Sequence, residues 1–222
     1  MNAIMMPTSN IASDAQSKPA ATRRPTRAEK AAATRQGLIE AAAGVVGEFG
    51  YADASVARIT ARANIALGTF YNYFETRQAL FDTLLPELGQ DLIAFVGDRV
   101  RGSRDTLEME ERGFRAFFEY LAANPGFYRI LNEAETMAPK AHHKHFQALA
   151  IRYVAALRIG LARGDMPAYS EDDLETVVYL LMAARSYLTL RYGLAGGKLP
   201  ENVVETYIKF VRGALSQRAP AP

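Results

Sequence analysis

The residues best suited to specific chemistry lie in the first third of the chain. Gly68 and Thr69 precede Tyr71, Asn72 and Tyr73. Hydroxyl and amide groups of this kind form hydrogen bonds with base edges and with phosphates. Glycine has no side chain, so a DNA backbone can approach the chain closely at that position. Carried on one exposed helix, these residues predict a surface that enters the major groove of DNA.

Three helices are predicted to position this surface. The first begins near Arg27, carries apolar residues at helical spacing, and ends at Gly50. Ser55 is a favourable N-cap for the second helix, and Asn64 tolerates the left-handed backbone of a tight turn. The third helix is expected over about residues 66–73. This order of short helices predicts a helix-turn-helix.

An ordinary aromatic hairpin packed into a helical core is the alternative interpretation of the same residues. Phe70 and Phe74 suit that alternative, since both can anchor the third helix to its neighbours. Gly68 and Thr69 beside Tyr71 do not suit it, because a buried helix gains nothing from glycine. The pattern therefore favours DNA binding.

The same stretch resembles the N-terminal signature of the tetracycline-repressor (TetR) family. The matching residues lie between about Thr34 and Leu80 and include Tyr51, Ser55, Val56, Ile59, Ala63, Ile65, Gly68, Thr69, Phe70, Tyr71, Tyr73, Phe74, Arg77 and Leu80. The resemblance implies a transcriptional regulator with a DNA-binding domain, followed by a helical domain that binds a small molecule and forms a homodimer.

The residues and the resemblance together predict the DNA contacts. The predicted contact residues are Arg27, Thr34, Arg35, Ser55, Leu67, Gly68, Thr69, Tyr71, Asn72, Tyr73 and Arg77. The resemblance favours Tyr71 as a phosphate contact, and Arg77 stands where the family usually has lysine. Two residues depart from the family's pattern. Ala66 cannot cap the third helix as the usual serine does, which costs about 1 kcal/mol. Leu67 replaces a basic or polar residue and can contact a thymine methyl instead.

The composition is that of a globular chain without cysteine. Of 222 residues, 49% are hydrophobic and 23% are charged, and the absence of cysteine excludes disulfides and thiolate metal sites. The longest apolar run, residues 177–184, is far shorter than the roughly 20 residues that a membrane-spanning helix needs. The start of the chain lacks the pattern of a secretory signal. We therefore expect a soluble, cytoplasmic protein with no membrane partner.

Charge is distributed unevenly along the chain, although the formal net charge is only +2. Six basic and two acidic side chains give residues 1–39 a net charge of +4, which leaves −2 for the rest. Residues 1–26 are rich in Ala, Ser, Thr and Pro and are predicted to be disordered. This basic arm can contact phosphates, and a solvated tail is the alternative.

The rest of the chain is predicted to be entirely helical. Amphipathic stretches separated by proline and glycine predict helices over residues 77–100, 104–123, 127–137, 140–163, 171–192 and 200–218, with a kink or break at Pro86. The fold class is therefore all-α, with about nine helices. We divide the chain into a disordered basic arm (1–26), a helix-turn-helix DNA-binding domain (27–76) and a ligand-binding and dimerisation domain (77–222).

Aromatic residues crowd the middle helices, where they form either core or the wall of a ligand pocket. The candidate pocket residues are Phe117, Tyr120, Tyr128, Leu131, Glu135, Tyr153, Tyr179, Met182 and Arg185. Because a buried charge must be paired, Arg185 either forms a structural bridge with a glutamate such as Glu133 or Glu135, or faces an effector. The effector is expected to be a mostly apolar small molecule that can carry one acidic or hydroxyl group.

All histidines of the chain lie in one tract that contains His142, His143 and His145. Such a tract can bind a metal ion, but adjacent histidines diverge on a helix and Lys144 adds repulsion. We therefore predict an exposed polar turn, no metal site and no cofactor.

The last two helices are predicted to form the dimer interface. Residues 177–184 are apolar nearly all round their helix, so that helix must be covered on more than one side. The predicted interface residues are Val178, Leu181, Leu188, Val204, Tyr207, Val211 and Leu215. The alternative is that these residues form core within one chain.

These observations favour a homodimeric transcriptional regulator that binds a palindromic operator in double-stranded DNA and is most readily interpreted as a repressor released by its effector. A helical hydrolase or metal-dependent oxidase is disfavoured, because the sequence lacks a Glu-x-x-His pair, a nucleophile elbow and a phosphate loop. The remaining alternative is a helical DNA-binding or partner-binding module without an effector.

Overall fold

The computed structural model describes residue 24, residues 26–193 and residues 199–215. Within these ranges the chain is helical and contains no β-strand, which confirms the predicted all-α class. The nine α-helices of the described residues are α1 (Arg27–Asp53), α2 (Val56–Arg62), α3 (Leu67–Phe70), α4 (Arg77–Val100), α5 (Thr106–Ala123), α6 (Pro125–Met137), α7 (Pro139–Arg163), α8 (Leu174–Leu188) and α9 (Glu201–Leu215).

Side-chain caps fix the ends of the first helices. The Thr26 hydroxyl accepts a hydrogen bond from the backbone N–H of Glu29 at 3.2 Å, and the Glu29 carboxylate accepts one from the N–H of Thr26 at 2.6 Å. Ser55 caps α2 by accepting from the N–H of Arg58 at 3.2 Å. Asn64 has a φ of 54° in the turn that follows. The predicted cap and turn are therefore confirmed.

Gly50 interrupts α1 and does not end it. Its φ of 83° and ψ of 166° are not helical, and helical backbone resumes up to Asp53. The N–H of Tyr51 donates instead to the Glu133 carboxylate at 2.8 Å. The interruption thus provides a backbone donor that ties α1 to α6.

α3 is shorter than the predicted helix over residues 66–73. Beyond Phe70 the backbone continues in turns, because Asn72 N–H donates to the Thr69 carbonyl at 3.2 Å and Tyr73 N–H to the Phe70 carbonyl at 3.0 Å. These hydrogen bonds span three residues, which is tighter than an α-helix. Ala66 precedes α3 and forms no side-chain cap, as its methyl group requires.

The later helices follow the prediction with local differences. Pro86 lies inside α4 and does not break it. The helix predicted over residues 171–192 consists of a 3₁₀ turn (Glu171–Asp173), α8 and a π-helical turn (Thr189–Gly193). α9 ends at Leu215, and its predicted end at residue 218 lies outside the described residues.

Two helices connect the helix-turn-helix to the rest of the chain. α4 starts after its cap Thr76, packs against α1, and continues between α5 and α7. α6 packs along α1, where Gly47 and Gly126 face each other so closely that a Cβ on Gly47 would lie 2.8 Å from the Gly126 Cα. One continuous apolar core joins all of these helices. The division at residue 76 therefore stays a prediction.

None of the helices in the described ranges is long and apolar enough to cross a membrane. The basic arm predicted over residues 1–26 lies outside the described residues, apart from positions 24 and 26.

Candidate DNA-binding surface and ligand cavity

α3 and the turn after it form an exposed edge of the helix-turn-helix. Leu67 and Tyr71 are 52% and 56% exposed, and Gly68 and Asn72 are exposed beside them. A Cβ on Gly68 would meet no atom within 4 Å, so packing inside the chain does not require glycine there. Phe70, in contrast, is fully buried and anchors the edge. The predicted contact side chains can therefore approach a duplex.

The remaining predicted contacts lie around this edge. Thr69 and Tyr73 are half-buried, whereas Ser55, Arg77 and Arg27 are exposed. Ser55 accepts the capping hydrogen bond of α2, and its own hydroxyl hydrogen is available to donate to a phosphate. The hydroxyl of Thr34 is engaged in α1, where it donates to the Lys30 carbonyl at 2.9 Å.

Arg35 has a different place from the one predicted. Its guanidinium forms an ion pair with Glu87 of α4 at 3.0 Å and lies 5.3 Å from the ring centre of Phe74. Because Glu87 neutralises its charge, Arg35 ties α1 to α4 in this structure and is a weaker candidate for a phosphate contact.

Arg58 is a candidate contact that the sequence prediction did not include. It is exposed on α2, donates to the Asp53 carbonyl at 3.1 Å and lies over the Phe49 ring. In the described part of the chain it forms no ion pair, whereas Arg62 pairs with Glu48. A basic residue in the first turn after the N-cap Ser55 was the signal available in the sequence.

An apolar cavity of about 240 Å³ lies among α4, α5, α6, α7 and α8. Its wall contains Phe117, Leu131, Tyr153, Met182 and Arg185 of the predicted pocket residues. Its other wall residues include Leu92, Val96, Glu110, His145 and Leu149. α4 thus contributes both to the cavity and to the frame of the helix-turn-helix.

Other predicted pocket residues lie elsewhere. Tyr120 and Tyr128 are buried in the core, outside the cavity wall. Glu135 is exposed on α6, and Tyr179 is 45% exposed on the outer side of α8. These helices bury more than one face, so an aromatic or acidic side chain did not reveal by itself which face meets the cavity.

Arg185 is buried and paired, but its partner is Glu110 of α5. Arg185 Nη2 donates to Glu110 Oε2 at 3.1 Å, and Nη1 donates to the Tyr207 hydroxyl at 3.1 Å and to the Leu181 carbonyl at 3.2 Å. The hydroxyls of Tyr207 and Tyr153 also donate to the Glu110 carboxylate. We call Glu110, Tyr153, Arg185 and Tyr207 the polar cluster. The predicted partner Glu133 instead binds the backbone of α1.

The polar cluster compensates its own charge. Burial alone lowers the pKa of Arg185. Tyr153 and Glu110 raise it by more than burial lowers it, so the guanidinium stays charged. Burial also raises the pKa of Tyr207 and of Tyr153, so both hydroxyls stay protonated and act as donors. A buried ion pair with its hydrogen bonds satisfied in this way is tolerated in a core.

The prediction of an exposed histidine turn was wrong for His145. This side chain is only 2% exposed and lines the cavity. Burial, with a smaller contribution from His142, lowers its pKa to about 4, so the ring is neutral at pH 7. His143 is exposed as predicted. Within the described ranges no cluster of His, Cys, Asp and Glu side chains could hold a metal ion.

The helix-turn-helix is also recognised by its sequence. Residues 38–84, which run from α1 into α4, match the profile of the family described as "Bacterial regulatory proteins, tetR family". Residues 38–84 therefore belong to the TetR family of DNA-binding domains. This TetR-family protein is a DNA-binding transcriptional regulator. Members of the family are transcription factors, in agreement with the expectation that the chain is not an enzyme.

Two mycobacterial repressors are similar to this TetR-family chain. The HTH-type transcriptional repressor DhaR of Mycobacterium sp. (strain GP1) is 41% identical over 58 residues, which are 26% of this chain and 29% of DhaR. The HTH-type transcriptional repressor KstR2 of Mycobacterium tuberculosis is 25% identical over 187 residues, which are 81% of this chain and 92% of KstR2.

Solved structures share the TetR fold over most of the chain. A putative TetR-family regulator from Rhodococcus sp. superposes with a TM-score of 0.70 at 15% identity, covering 83% of this chain and all (100%) of that one. FadR from Bacillus subtilis, solved in complex with stearoyl-CoA, gives 0.65 at 15% identity, covering 81% and 98%. At such identities the likeness establishes the fold alone.

The residues predicted for the dimer interface of this TetR-family chain are mostly core within one chain. Those from α8 and α9 that pack inside are Val178, Leu181, Val204, Tyr207, Val211 and Leu215, all at most 7% exposed. Leu188 is half-buried. α8 packs against α7, and α9 packs against α5. The apolar stripe of each helix therefore identified its inward face and not its outward one.

The outward surfaces of α8, of the π-helical turn that follows it and of α9 also carry large apolar side chains. Tyr179, Leu180, Tyr187, Leu190 and Phe210 are 45%, 66%, 74%, 59% and 70% exposed. We call these residues the outer apolar face. Large exposed apolar side chains mark an interaction site where they form a contiguous patch.

Proposed function

We propose that this chain is a homodimeric transcriptional repressor that leaves a palindromic operator when a mostly apolar small molecule occupies the cavity. One observation carries the proposal. α4 begins directly after the helix-turn-helix, and the same helix forms one wall of the cavity through Leu92 and Val96. A ligand that fits the cavity better in one position of α4 shifts the protein toward that position.

The DNA-binding surface proposed here is centred on α3. Leu67, Gly68, Thr69, Tyr71, Asn72 and Tyr73 meet the major groove, and Arg27, Ser55, Arg58 and Arg77 meet phosphates. Thr34 reaches a phosphate only if its hydroxyl leaves the Lys30 carbonyl. Exposure of Leu67, Gly68, Tyr71 and Asn72 supports this assignment. Because phosphate contacts release counterions, the affinity should fall steeply as salt rises.

The homodimer is proposed to form through the outer apolar face. Tyr187, Leu180 and Phe210 are each at least 66% exposed in one chain, and covering them removes apolar surface from water. Two copies joined through α8 and α9 form a four-helix interface. The two helix-turn-helix units of the symmetric dimer then fit two half-sites about 34 Å apart on one side of the duplex.

Relatives support the repressor and effector parts of the proposal. DhaR and KstR2 are named transcriptional repressors, and FadR was solved with stearoyl-CoA. We infer by this likeness that the present chain represses transcription and binds a ligand with a large apolar part. A cytoplasmic location agrees with the proposed binding to DNA.

Selection of bound sequences from a random DNA pool tests the DNA-binding part. The selected sites should be palindromic, and their affinity should fall steeply with salt in fluorescence anisotropy titrations. Tyr71→Ala should weaken binding of the selected site at least tenfold, since the variant removes both a hydroxyl contact and a packing ring. Unchanged binding by this variant would place the recognition surface elsewhere.

Thermal shift against a panel of apolar compounds tests the effector part. Compounds that raise the melting temperature should also weaken operator binding by about 5- to 150-fold, the usual range of allosteric coupling. If compounds stabilise the protein without weakening operator binding, occupation of the cavity does not regulate DNA binding. In that case a DNA-binding module without an effector would describe the protein better.

A further inference from the structure

We propose that His145 is the residue through which the cavity recognises a hydroxyl group on its ligand. The ligand class is then an alcohol or phenol with an apolar body. This inference rests on the proposed function, since it assumes that the cavity holds the effector. It adds which polar group of the effector is recognised, by which residue and at which end of the cavity.

The ring nitrogens of His145 lack partners inside the protein. They form no hydrogen bond with any residue that the structure describes. Among those residues, the Tyr51 hydroxyl is the sole side-chain polar atom that is both fully enclosed and unpaired. The nitrogens of His145 therefore keep some accessible surface, although the residue is only 2% exposed. Because Nδ1 is the ring atom nearest Gly89 of α4, Nε2 is the nitrogen that we place toward the cavity lined by His145.

The other polar groups in the cavity wall are already engaged or reach solvent. Glu110 and Arg185 bind each other and the two tyrosines of the polar cluster. The Ser186 hydroxyl donates to the Met182 carbonyl at 3.2 Å, and Arg152 is exposed. His145 is thus the buried group with hydrogen-bonding capacity left for a ligand.

The position of the imidazole is fixed by its neighbours. Phe146 and Phe127 lie beside it, with ring centres at 5.6 and 6.4 Å. On the α4 side the ring occupies space that exists only because position 89 is glycine, since a Cβ there would overlap the ring. A ligand that binds His145 therefore contacts a ring packed directly on α4.

The chemistry of a neutral imidazole selects a hydroxyl. One ring nitrogen donates and the other accepts, and a hydroxyl can do both, so it satisfies whichever nitrogen it meets. A carboxylate only accepts, and it would lose its hydration beside a neutral partner at high cost.

The polar cluster lies further along α7. His145 and Tyr153 are separated along that helix by roughly 12 Å, from its rise of about 1.5 Å per residue. Leu149 lies between them on α7 and lines the cavity together with Leu92 of α4. The ligand is therefore expected to place its hydroxyl at His145 and its apolar body toward the polar cluster.

Fluorescence titrations of the full chain with naphthalene and 2-naphthol at pH 7.5 test the proposal. The wild-type protein should bind 2-naphthol about five- to tenfold more tightly than naphthalene, the usual contribution of one hydrogen bond. His145→Phe should keep the naphthalene affinity and lose the preference. His145→Gln should retain part of the preference, because its amide can both donate and accept. His143→Phe is the matched control, since His143 is exposed on the same helix, and should leave both affinities unchanged.

The outcomes distinguish this inference from the function on which it rests. If neither probe binds the wild-type protein, the effector role of the cavity is overturned, and this inference with it. If both probes bind and His145→Phe keeps the preference, the inference alone is wrong. The wild-type protein gives a second readout that needs no variant. 2-Naphthol, but not naphthalene, should shift the histidine ring ¹⁵N resonances, and equal shifts with both probes would contradict a hydrogen bond.

Discussion

At the scale of single residues, we expect Gly68 to matter for DNA binding but not for folding. A Cβ at this position would meet nothing within 4 Å inside the chain, and alanine is favoured over glycine in helices by up to about 1 kcal/mol. Gly68→Ala should therefore leave the free energy of unfolding unchanged or slightly higher in urea titrations. The same methyl group would stand between the helix and DNA, so operator affinity should fall about tenfold or more. If the variant is stable and binds DNA as well as the wild type does, Gly68 is not part of the DNA-contact surface.

Replacing Glu110 should lower the stability of the fold, in contrast to replacing Gly68, because Glu110 is buried in the core. It is 1% exposed and accepts hydrogen bonds from Arg185, Tyr207 and Tyr153. Glu110→Gln removes the charge that compensates buried Arg185, which should lower stability by about 3 kcal/mol in urea unfolding. The double variant Glu110→Gln, Arg185→Met should recover part of this loss. If Glu110→Gln alone were neutral, the cluster would have little importance for folding.

His145 predicts a dependence of stability on pH. Its pKa is about 4 in the folded protein, against 6.5 for an unperturbed histidine. The unfolded chain therefore binds more protons between these values, so stability falls as pH decreases from about 6.5 toward 4, by roughly 3 kcal/mol in total. Besides His142 on α7, the ionisable groups facing the cavity are Glu110, Arg152, Tyr153 and Arg185.

Those groups are common to wild type and variant, so their contribution cancels in a comparison. Chemical unfolding at pH 7.5 and pH 4.5 should show a smaller loss of stability in His145→Gln than in the wild type. The exposed-histidine variant His143→Gln should follow the wild type. Parallel pH profiles for wild type and His145→Gln would mean that His145 is solvated in the folded protein.

At the scale of helices, the contact of α1 with α6 holds the helix-turn-helix against the helices that line the cavity. A Cβ on Gly47 would lie 2.8 Å from the Gly126 Cα, and backbone cannot move aside as a side chain can. Gly47→Ala should therefore force the helices apart and cost about 1–3 kcal/mol of stability. Gly37→Ala is the matched control on the same helix, because nothing lies within 4 Å of a Cβ there. It should be neutral or slightly stabilising, and equal behaviour of the two variants would contradict the close contact.

Features set by neighbouring residues in sequence were predictable, and features set by tertiary packing were not. The cap Ser55 and the turn residue Asn64 act within a few residues, so their types alone indicated their conformations. The pairing of Arg185 with Glu110 joins residues 75 apart, and an apolar stripe does not report what it packs against. For the same reason the burial of His145 was missed, since it depends on the space at Gly89 of another helix.

At the scale of the whole molecule, the same helices contact both the cavity and the helix-turn-helix. α4 lines the cavity, and Arg35 of α1 is bound to Glu87 on the same helix. α6 contributes Leu131 to the cavity and Glu133 to the backbone of α1. Two helices thus connect the cavity to the helix-turn-helix. If a ligand moved only α4 or only α6, the helix-turn-helix would tilt, because the contact of the other helix with α1 would stay in place.

The outer apolar face makes the last prediction, which concerns assembly. Leu180 is 66% exposed on α8, and Ile151 is 65% exposed on α7. Leu180→Glu should place a charge in the proposed interface and convert the dimer to a monomer in sedimentation velocity experiments. Operator affinity should then fall to that of a single half-site, because the two reading heads are no longer linked. Ile151→Glu removes an equally exposed apolar side chain away from α8 and α9, so it should stay dimeric and bind the operator normally. If Leu180→Glu stays dimeric, or if both variants dissociate alike, the dimer does not form through α8.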